Sequence, residues 1–260
     1  MCIIACIPTE KGPLLLKNRD RNYKVHLKSC KLELGGMECL VVADALTEWI
    51  EGMNEAGICI VNSALMVGRD EKEKKKSKKG KKSKDGARIL RALRFDNKDE
   101  VIESLLNFKG GVKGHTFVAT PTGIFAIETT SKHTPIIKEL DPNVLHVRTN
   151  HGIYHKDAGY TKGEDLLSSK IRMTLALDKL EGVQSAANVI EAVNDSVFEK
   201  KNPHNMVRHT DKMKTSSQFV LSPNEKTLYV HCIKENVESF NEVDLREDPS
   251  KMKILSLKVI

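Results

Sequence analysis

The stretch MCIIACIPTEKGPLLLKNRD, residues 1–20, decides how the rest of the chain is read. Two short apolar runs, residues 2–8 and 13–17, flank Thr9-Glu10-Lys11-Gly12 and have the length and composition of buried strands. Closed as a hairpin, they bring Lys17-Asn18-Arg19-Asp20 back to the start of the chain. Cys2 follows the initiator Met directly and is small enough for Met1 to be removed. Removal places a thiol and a free α-amine on one residue. The amine titrates at about 7.7–8.0 and the thiol at about 8.5, so near neutrality the amine takes the thiol proton, directly or through a water. Nucleophile and base then come from a single residue. A Cys in this position also reads as a small hydrophobe opening an edge strand, so the chemical reading needs support from other segments.

Outward from this hairpin, strand-like runs continue at residues 39–44 and 57–65, and helical spacing follows at 87–95 and 98–108, with Asn97 or Asp96 as the cap of the second helix. Residues 115–120 and 124–129 form a hairpin around Pro121-Thr122-Gly123, where Pro fixes one backbone angle and Gly accepts a positive φ. Residues 144–149 read as a strand, 164–180 and 183–193 as helices. Strands 218–221 and 227–232 close the pattern around Ser222-Pro223-Asn224. Strands, helices, strands, helices, strands in that order point to an α+β fold of antiparallel sheets covered by helices in an αββα layering. No repeat and no linker interrupts it, so residues 1–260 are expected to form one domain.

The net charge of +7 resembles a nucleic-acid signal, but residues 71–84, EKEKKKSKKGKKSK, hold nine Lys and two Glu and so carry all of it. The remainder is neutral. Such a run buries no apolar surface and repels itself, and is expected to be a flexible insertion within the domain. Weak binding to polyanions or anionic lipid is its functional alternative. The six cysteines show no CxxC spacing, which argues against a zinc site and a disulfide framework. No run approaches the roughly 20 apolar residues of a membrane span. The start of the chain lacks a basic region of the secretory kind, so a cytoplasmic protein is expected. With no metal-ligand cluster and no glycine-rich phosphate loop, no cofactor is expected. His115 and His151, at strand ends, read as hydrogen-bonded structural residues.

Two further segments end apolar runs in polar residues, and a third opens a helix. Glu51-Gly52-Met53-Asn54-Glu55-Ala56-Gly57 reads as a tight turn into a buried strand that finishes at Asn62. Buried unpaired, Asn62 would be costly, which makes it a candidate oxyanion donor. Thr149-Asn150 closes another strand, and a side-chain amide aimed at a developing oxyanion is worth about 2.7–4 kcal/mol in the transition state. Ser168-Ser169-Lys170-Ile171-Arg172 lies early in a long helix, from which Arg172 reaches inward. On Cys2, Arg19 with Asp20, Gly52 to Gly57, Thr149-Asn150 and Arg172, in that order, the chain resembles the choloylglycine hydrolase group: penicillin V acylases, conjugated bile salt hydrolases and related acyltransferases. That resemblance implies the four-layer αββα sandwich of the N-terminal-nucleophile (Ntn) hydrolases. It also implies Cys2 as nucleophile and base, Asp20 on the α-amine, Asn150 with Asn62 at the oxyanion, and Arg172 stabilising the thiolate and the transition state, while Arg19, from its place beside Asp20, is a further candidate to favour the thiolate. Bile salt hydrolases carry Arg three residues before Asp. Here Arg19 is adjacent to Asp20 and Lys17 takes the earlier place. The family Asn also lies two residues beyond the position of Asn62.

The implied activity is hydrolysis of a linear, non-peptide amide in a small N-acyl substrate, through a thioester acyl-enzyme. Alternatives are acyl transfer to an amine on the same scaffold, or a catalytically retired polyanion- or partner-binding protein. A homo-oligomer is compatible with either, and no specific nucleic-acid partner is expected. The intact mass of the active protein should lack Met1; a preparation that hydrolyses amides with Met1 retained contradicts the N-terminal-nucleophile reading.

Overall fold

The computed structural model describes residues 2–65, 84–107, 112–241 and 253–256. The Lys-rich segment expected as a flexible insertion lies outside the described residues except for Lys84, which opens the first helix. Fourteen strands and four α-helices are described: β1 (Cys2–Ile7), β2 (Leu14–Arg21), β3 (Val25–Leu34), β4 (Met37–Asp44), β5 (Trp49–Asn54), β6 (Cys59–Ser63), α1 (Lys84–Ala92), α2 (Lys98–Leu106), β7 (Gly114–Thr120), β8 (Gly123–Thr129), β9 (Ile136–Leu140), β10 (His146–Arg148), α3 (Gly163–Leu180), α4 (Ala186–Asn194), β11 (Lys214–Ser222), β12 (Thr227–Cys232), β13 (Val237–Asn241) and β14 (Lys253–Ser256). They form a six-stranded sheet, β10-β1-β2-β11-β12-β14, and an eight-stranded sheet, β13-β3-β4-β5-β6-β7-β8-β9. All pairings are antiparallel except β13 with β3.

Strand alternation assigns each residue to a layer. On β1 and β2, Ile4, Cys6 and Leu15 meet Leu40, Val42, Met53, Val61 and Phe117 of the facing sheet. Ile3, Ala5, Ile7, Leu14 and Leu16 pack outward on Ala176 and Leu180 of α3 and Val189, Ile190 and Val193 of α4. Across the molecule, Ile58, Ile60 and Val118 pack on Ile89 of α1, on Leu93 just beyond it, and on Val101 and Leu105 of α2. The result is αββα. Every residue of β1 is buried because both of its faces are covered, which explains an uninterrupted apolar run where a half-exposed strand would alternate.

The expected hairpins form. β1 pairs with β2, with Cys2 opposite Arg19, and β7 pairs with β8 from Gly114–Thr129 to Thr120–Gly123. Asn97 caps α2 by accepting from the Glu100 N–H at 3.0 Å. The Gly52–Gly57 segment differs from its reading as a turn. Gly52, Met53 and Asn54 belong to β5, and the turn is Asn54 to Gly57, closed by Gly57 N–H to Asn54 O at 3.0 Å with Gly57 at φ 82°. Asn54 ties the turn down: its Oδ1 accepts from Ile58 N–H at 2.9 Å and its Nδ2 donates to Leu93 O and Phe95 O at 3.0 and 2.8 Å. The most specific motif of the sequence is thus the joint between β5, β6 and the end of α1.

Gly52 is required by space. A Cβ there would lie 2.4 Å from Leu40 O and 2.7 Å from Val41 Cγ1 on the neighbouring strand. Gly52→Ala should therefore destabilise the protein by about 1–3 kcal/mol, read from denaturant unfolding, as overpacking does elsewhere. An unchanged midpoint would show that β4 and β5 separate freely.

Candidate active site

The apolar filling between the sheets stops where β1 begins, and the residues that continue it are charged. Cys2 shares the inward face with Ile4. Lys17 and Arg19 share it with Leu15, Asp44 with Val42, and Glu51 with Met53. Register therefore carries five ionic groups into one space. Lys17 Nζ is 3.1 Å from Glu51 Oε1 and donates to Asn62 O. Arg19 spans both carboxylates, with Nη1 at 3.0 Å from Glu51 Oε2 and Nη2 at 3.2 Å from Asp44 Oδ2. Arg21 closes the group, its Nε 3.7 Å from Asp44 Oδ2 and its Nη1 3.7 Å from Cys2 Sγ. Tyr23 Oη donates to Asp44 Oδ2 at 2.6 Å, and Trp49 Nε1 donates to Glu51 Oε1 at 2.6 Å. Burial works to raise the Glu51 carboxyl, but Lys17 and Arg19 outweigh it and hold it below the usual range. Asp44 is lowered in the same way against its burial, by Arg19 and the Tyr23 hydrogen bond.

These charges act on Cys2. Burial pushes its thiol up, whereas Lys17, the amino terminus and Arg21 pull it down and prevail, bringing it to about 6. Burial without such company sends Cys6, Cys39 and Cys232 up to about 12, and Cys59 well above its ordinary value. None of the six cysteines is in a disulfide.

Asn150, just beyond β10, holds the nitrogen of Cys2. Its Oδ1 accepts from Cys2 N at 3.0 Å, and its Nδ2 donates to Ala64 O at 2.7 Å and Ser63 Oγ at 3.3 Å. An N–H on one side and a carbonyl on the other allow one orientation of the amide. Asn150 is itself held by α3, its backbone N–H donating to Ser169 Oγ at 3.1 Å. Ser63 Oγ lies 3.1 Å from Thr149 O and 3.4 Å from Cys2 O.

Asp20 and Arg172 meet on the other face of β2, toward α3. Arg172 Nη2 is 2.7 Å from Asp20 Oδ2, Thr215 Oγ1 donates to Asp20 Oδ1 at 2.7 Å, and Arg208 Nε stands 4.0 Å away. Both oxygens of Asp20 are engaged there, and the Cys2 nitrogen is met by Asn150 instead of the expected Asp20. Asp20 still acts through space, working to raise the Cys2 thiol. Arg19 is beside Cys2 in the strand pairing, but its guanidinium is committed to Glu51 and Asp44. Asn62 points to the opposite face of β6, where its Nδ2 donates to Thr116 Oγ1 at 2.8 Å. The side chain of β6 that faces Cys2 is Ser63. The structure thus joins Cys2 to Asn150 and Asp20 to Arg172, and leaves the Asn62 side chain outside the cluster.

Sequence reasoning passed over Arg21, Asp44, Glu51, Ser63, Arg208 and Thr215. Parity with the apolar residues of the same strands was the available signal for the first four. His115 is driven down to about 4 by burial and accepts a structural place, its Nε2 2.8 Å from His151 O. Among the described residues no group of three His, Cys, Asp or Glu is arranged for a metal ion, and no helix is long and apolar enough to cross a membrane. Two surface cavities, of about 370 Å³ beside His209 and His231 and about 590 Å³ beside Val144 and Leu177, are lined by none of the Cys2 cluster.

No protein-family model matches the chain, and no curated protein matches it in sequence. Solved structures do match in fold. Penicillin V acylase from Agrobacterium tumefaciens superposes with a TM-score of 0.55 at 12% identity, covering 89% of this chain and 83% of its own. An N-acylethanolamine-hydrolyzing acid amidase ortholog of Caenorhabditis elegans gives 0.55 at 14% identity, covering 86% and 93%. A variant of the conjugated bile acid hydrolase of Clostridium perfringens gives 0.51 at 15% identity, covering 100% and 97%. The fold is that of the Ntn hydrolases. The αββα layering expected from the sequence is therefore the layering found.

Within this Ntn-hydrolase fold the Cys2 thiol is set apart from Cys6, Cys39, Cys59 and Cys232 by the cations around it. Brief treatment with iodoacetamide near neutral pH should modify Cys2 before Cys39 or Cys232, as mapped by peptide mass spectrometry. The rate should fall as pH drops through about 6, because protonation removes the thiolate. Earlier modification of Cys39 or Cys232 would contradict this ordering.

Proposed function

We propose that the protein is an N-terminal cysteine amidohydrolase acting on a linear amide of a small N-acyl substrate. The observation that carries this reading is that Cys2 has its sulfur among buried cations and its nitrogen on Asn150 Oδ1. After Met1 is removed, that nitrogen is the α-amine. The thiol proton passes to the amine, and Lys17 and Arg21 favour the thiolate. Sulfur attacks the amide carbonyl, and a C–S bond forms as the π electrons move to oxygen. Collapse breaks the C–N bond, with the α-ammonium returning its proton to the leaving amine. Water, deprotonated by the same amine, then cleaves the thioester and releases the acid.

Asn150 serves the amine of Cys2 and the intermediate formed on its sulfur in this scheme. Its Oδ1 aims the amine. Its Nδ2 exchanges the longer of its two bonds, to Ser63 Oγ at 3.3 Å, for the oxyanion of the tetrahedral intermediate and keeps the bond to Ala64 O. The Asp20–Arg172 pair holds the end of β2 against α3 and keeps Cys2 in register with that strand. The similar folds bear the names of an acylase, an amidase and a bile acid hydrolase, and they favour amide chemistry over the retired-scaffold alternative.

Penicillin V, an N-acylethanolamine and a conjugated bile acid form the first assay panel. Cys2→Ala should abolish turnover and Cys2→Ser should leave a trace, since a hydroxyl is a far weaker nucleophile near neutral pH. Acid quench should trap the acyl group on Cys2, seen by mass spectrometry. Asn150→Ala should lower kcat about 10²–10³-fold with a smaller change in KM. Asn150→Asp keeps the acceptor for the amine and loses the donor, so kcat should fall about as far. Turnover that survives Cys2→Ala refutes the proposal, and normal kcat in Asn150→Asp restricts Asn150 to holding the amine.

A further inference from the structure

Glu51 belongs to the eight-stranded sheet, and the two cations that it holds belong to the six-stranded one. Its Oε1 accepts from Trp49 Nε1 at 2.6 Å and pairs with Lys17 at 3.1 Å, while Oε2 pairs with Arg19 at 3.0 Å. The carboxylate is 1% exposed and each oxygen is engaged. Arg19 is the cross-strand partner of Cys2. Lys17 is held from three sides: by Glu51, by Asn62 O, and by the Trp49 ring 5.8 Å from its ammonium.

The charges facing Cys2 can be enumerated. β2 supplies Lys17, Arg19 and Arg21; β4 supplies Asp44, β5 supplies Glu51, and Tyr23 is bound to Asp44. β6 and the segment after β10 contribute the neutral Ser63 and Asn150. Behind β2 stand Asp20 with Arg172 and Arg208, and the amino terminus adds its own charge. Three cations against two carboxylates between the sheets leave one positive charge in excess, and a Cys2 thiolate compensates it.

We propose that Glu51 is a positioning residue for Cys2: by holding Lys17 and Arg19 across the gap between the sheets, it sets the fraction of Cys2 present as thiolate. The consequence for catalysis rests on Cys2 being the nucleophile, but the electrostatic claim does not. Without the carboxylate the excess becomes two positive charges, the thiolate is overcompensated, and the thiol ionises at lower pH. A thiolate so stabilised is also a weaker nucleophile at saturating pH. A carboxylate that only braced the two sheets would change stability and leave the ionisation of Cys2 where it was.

The test is the pH profile of Cys2 carbamidomethylation by iodoacetamide, followed on the Cys2 peptide by mass spectrometry. Emission of Trp49, the chain's one tryptophan and a donor to Glu51, checks that each variant is folded. In Glu51→Gln the midpoint should fall by about half a pH unit or more, with a lower plateau rate, while Glu51→Asp keeps the charge and should stay near the wild-type midpoint. If Glu51→Gln does not fold, Lys17→Gln and Lys17→Gln/Glu51→Gln are compared, since removing both members of a buried pair is tolerated better than removing one. The second substitution should again lower the midpoint. An unchanged or raised midpoint on loss of the carboxylate, in either background, overturns the proposal. A Cys2→Ser protein that hydrolyses amides as fast as wild type overturns the nucleophile reading instead, and leaves the titration result standing.

Discussion

Charge has to balance in the space between the sheets beside Cys2, and the arrangement around it follows from that requirement. Lys17, Arg19, Asp44 and Glu51 are at most 1% exposed, so none can rely on water for solvation. Removing one member of such a set costs about 3–5 kcal/mol, because its partners stay buried without compensation. The cations come from one sheet and the carboxylates from the other. The ionic contacts therefore also fix how the two sheets face each other where apolar packing ends. A thiol at this boundary becomes part of the balance, and for this reason Cys2 departs from the behaviour of the other buried cysteines.

Asn150 supplies the second constraint. One amide joins three stretches of chain that are remote in sequence: the start of β1, the end of β6 and the segment after β10. Its own position is set from the helix layer by Ser169, which also bonds Thr149 Oγ1 at 2.9 Å. The orientation of the Cys2 nitrogen thus depends on packing between β10 and α3 as much as on β1.

Much of this was legible in the sequence where a segment is buried on both faces or opened by turn chemistry. β1, β7, β8 and α2 fall within a residue or two of their expected bounds. The five strands missed have different causes. β3, VHLKSCKLEL, alternates apolar with polar or charged residues on a half-exposed surface, and β9, IIKEL, is a short edge strand with its three central residues exposed. β5 carries Gly52, which resembles turn chemistry until the close approach of β4 is known. β13 and β14 are short edge strands whose pairing is decided by distant chain. Cys2 stood out because it follows Met1 and opens an apolar run, and Asn150 because it closes one; the structure brings the two together. Glu51 and Arg21 did not stand out, because a charged residue in sequence carries no sign of burial until strand register brings its partner opposite. Asn62 shows the converse: the right residue type, one position away from the face that meets Cys2.

β2 has a consequence beyond its hydrogen bonds. Its inner surface bears Lys17, Arg19 and Arg21, and its outer surface bears Asp20 with Arg172 and Arg208 against it. A single sheet thickness separates the two sets, and Asp20 acts on the Cys2 sulfur through it. The strand is a dielectric partition with a charged layer on each side, and the Cys2 sulfur lies within reach of both. Asp20 touches no atom of Cys2, so Arg172 of α3, Arg208 and Thr215 hold in place a charge that the sulfur feels from behind the strand.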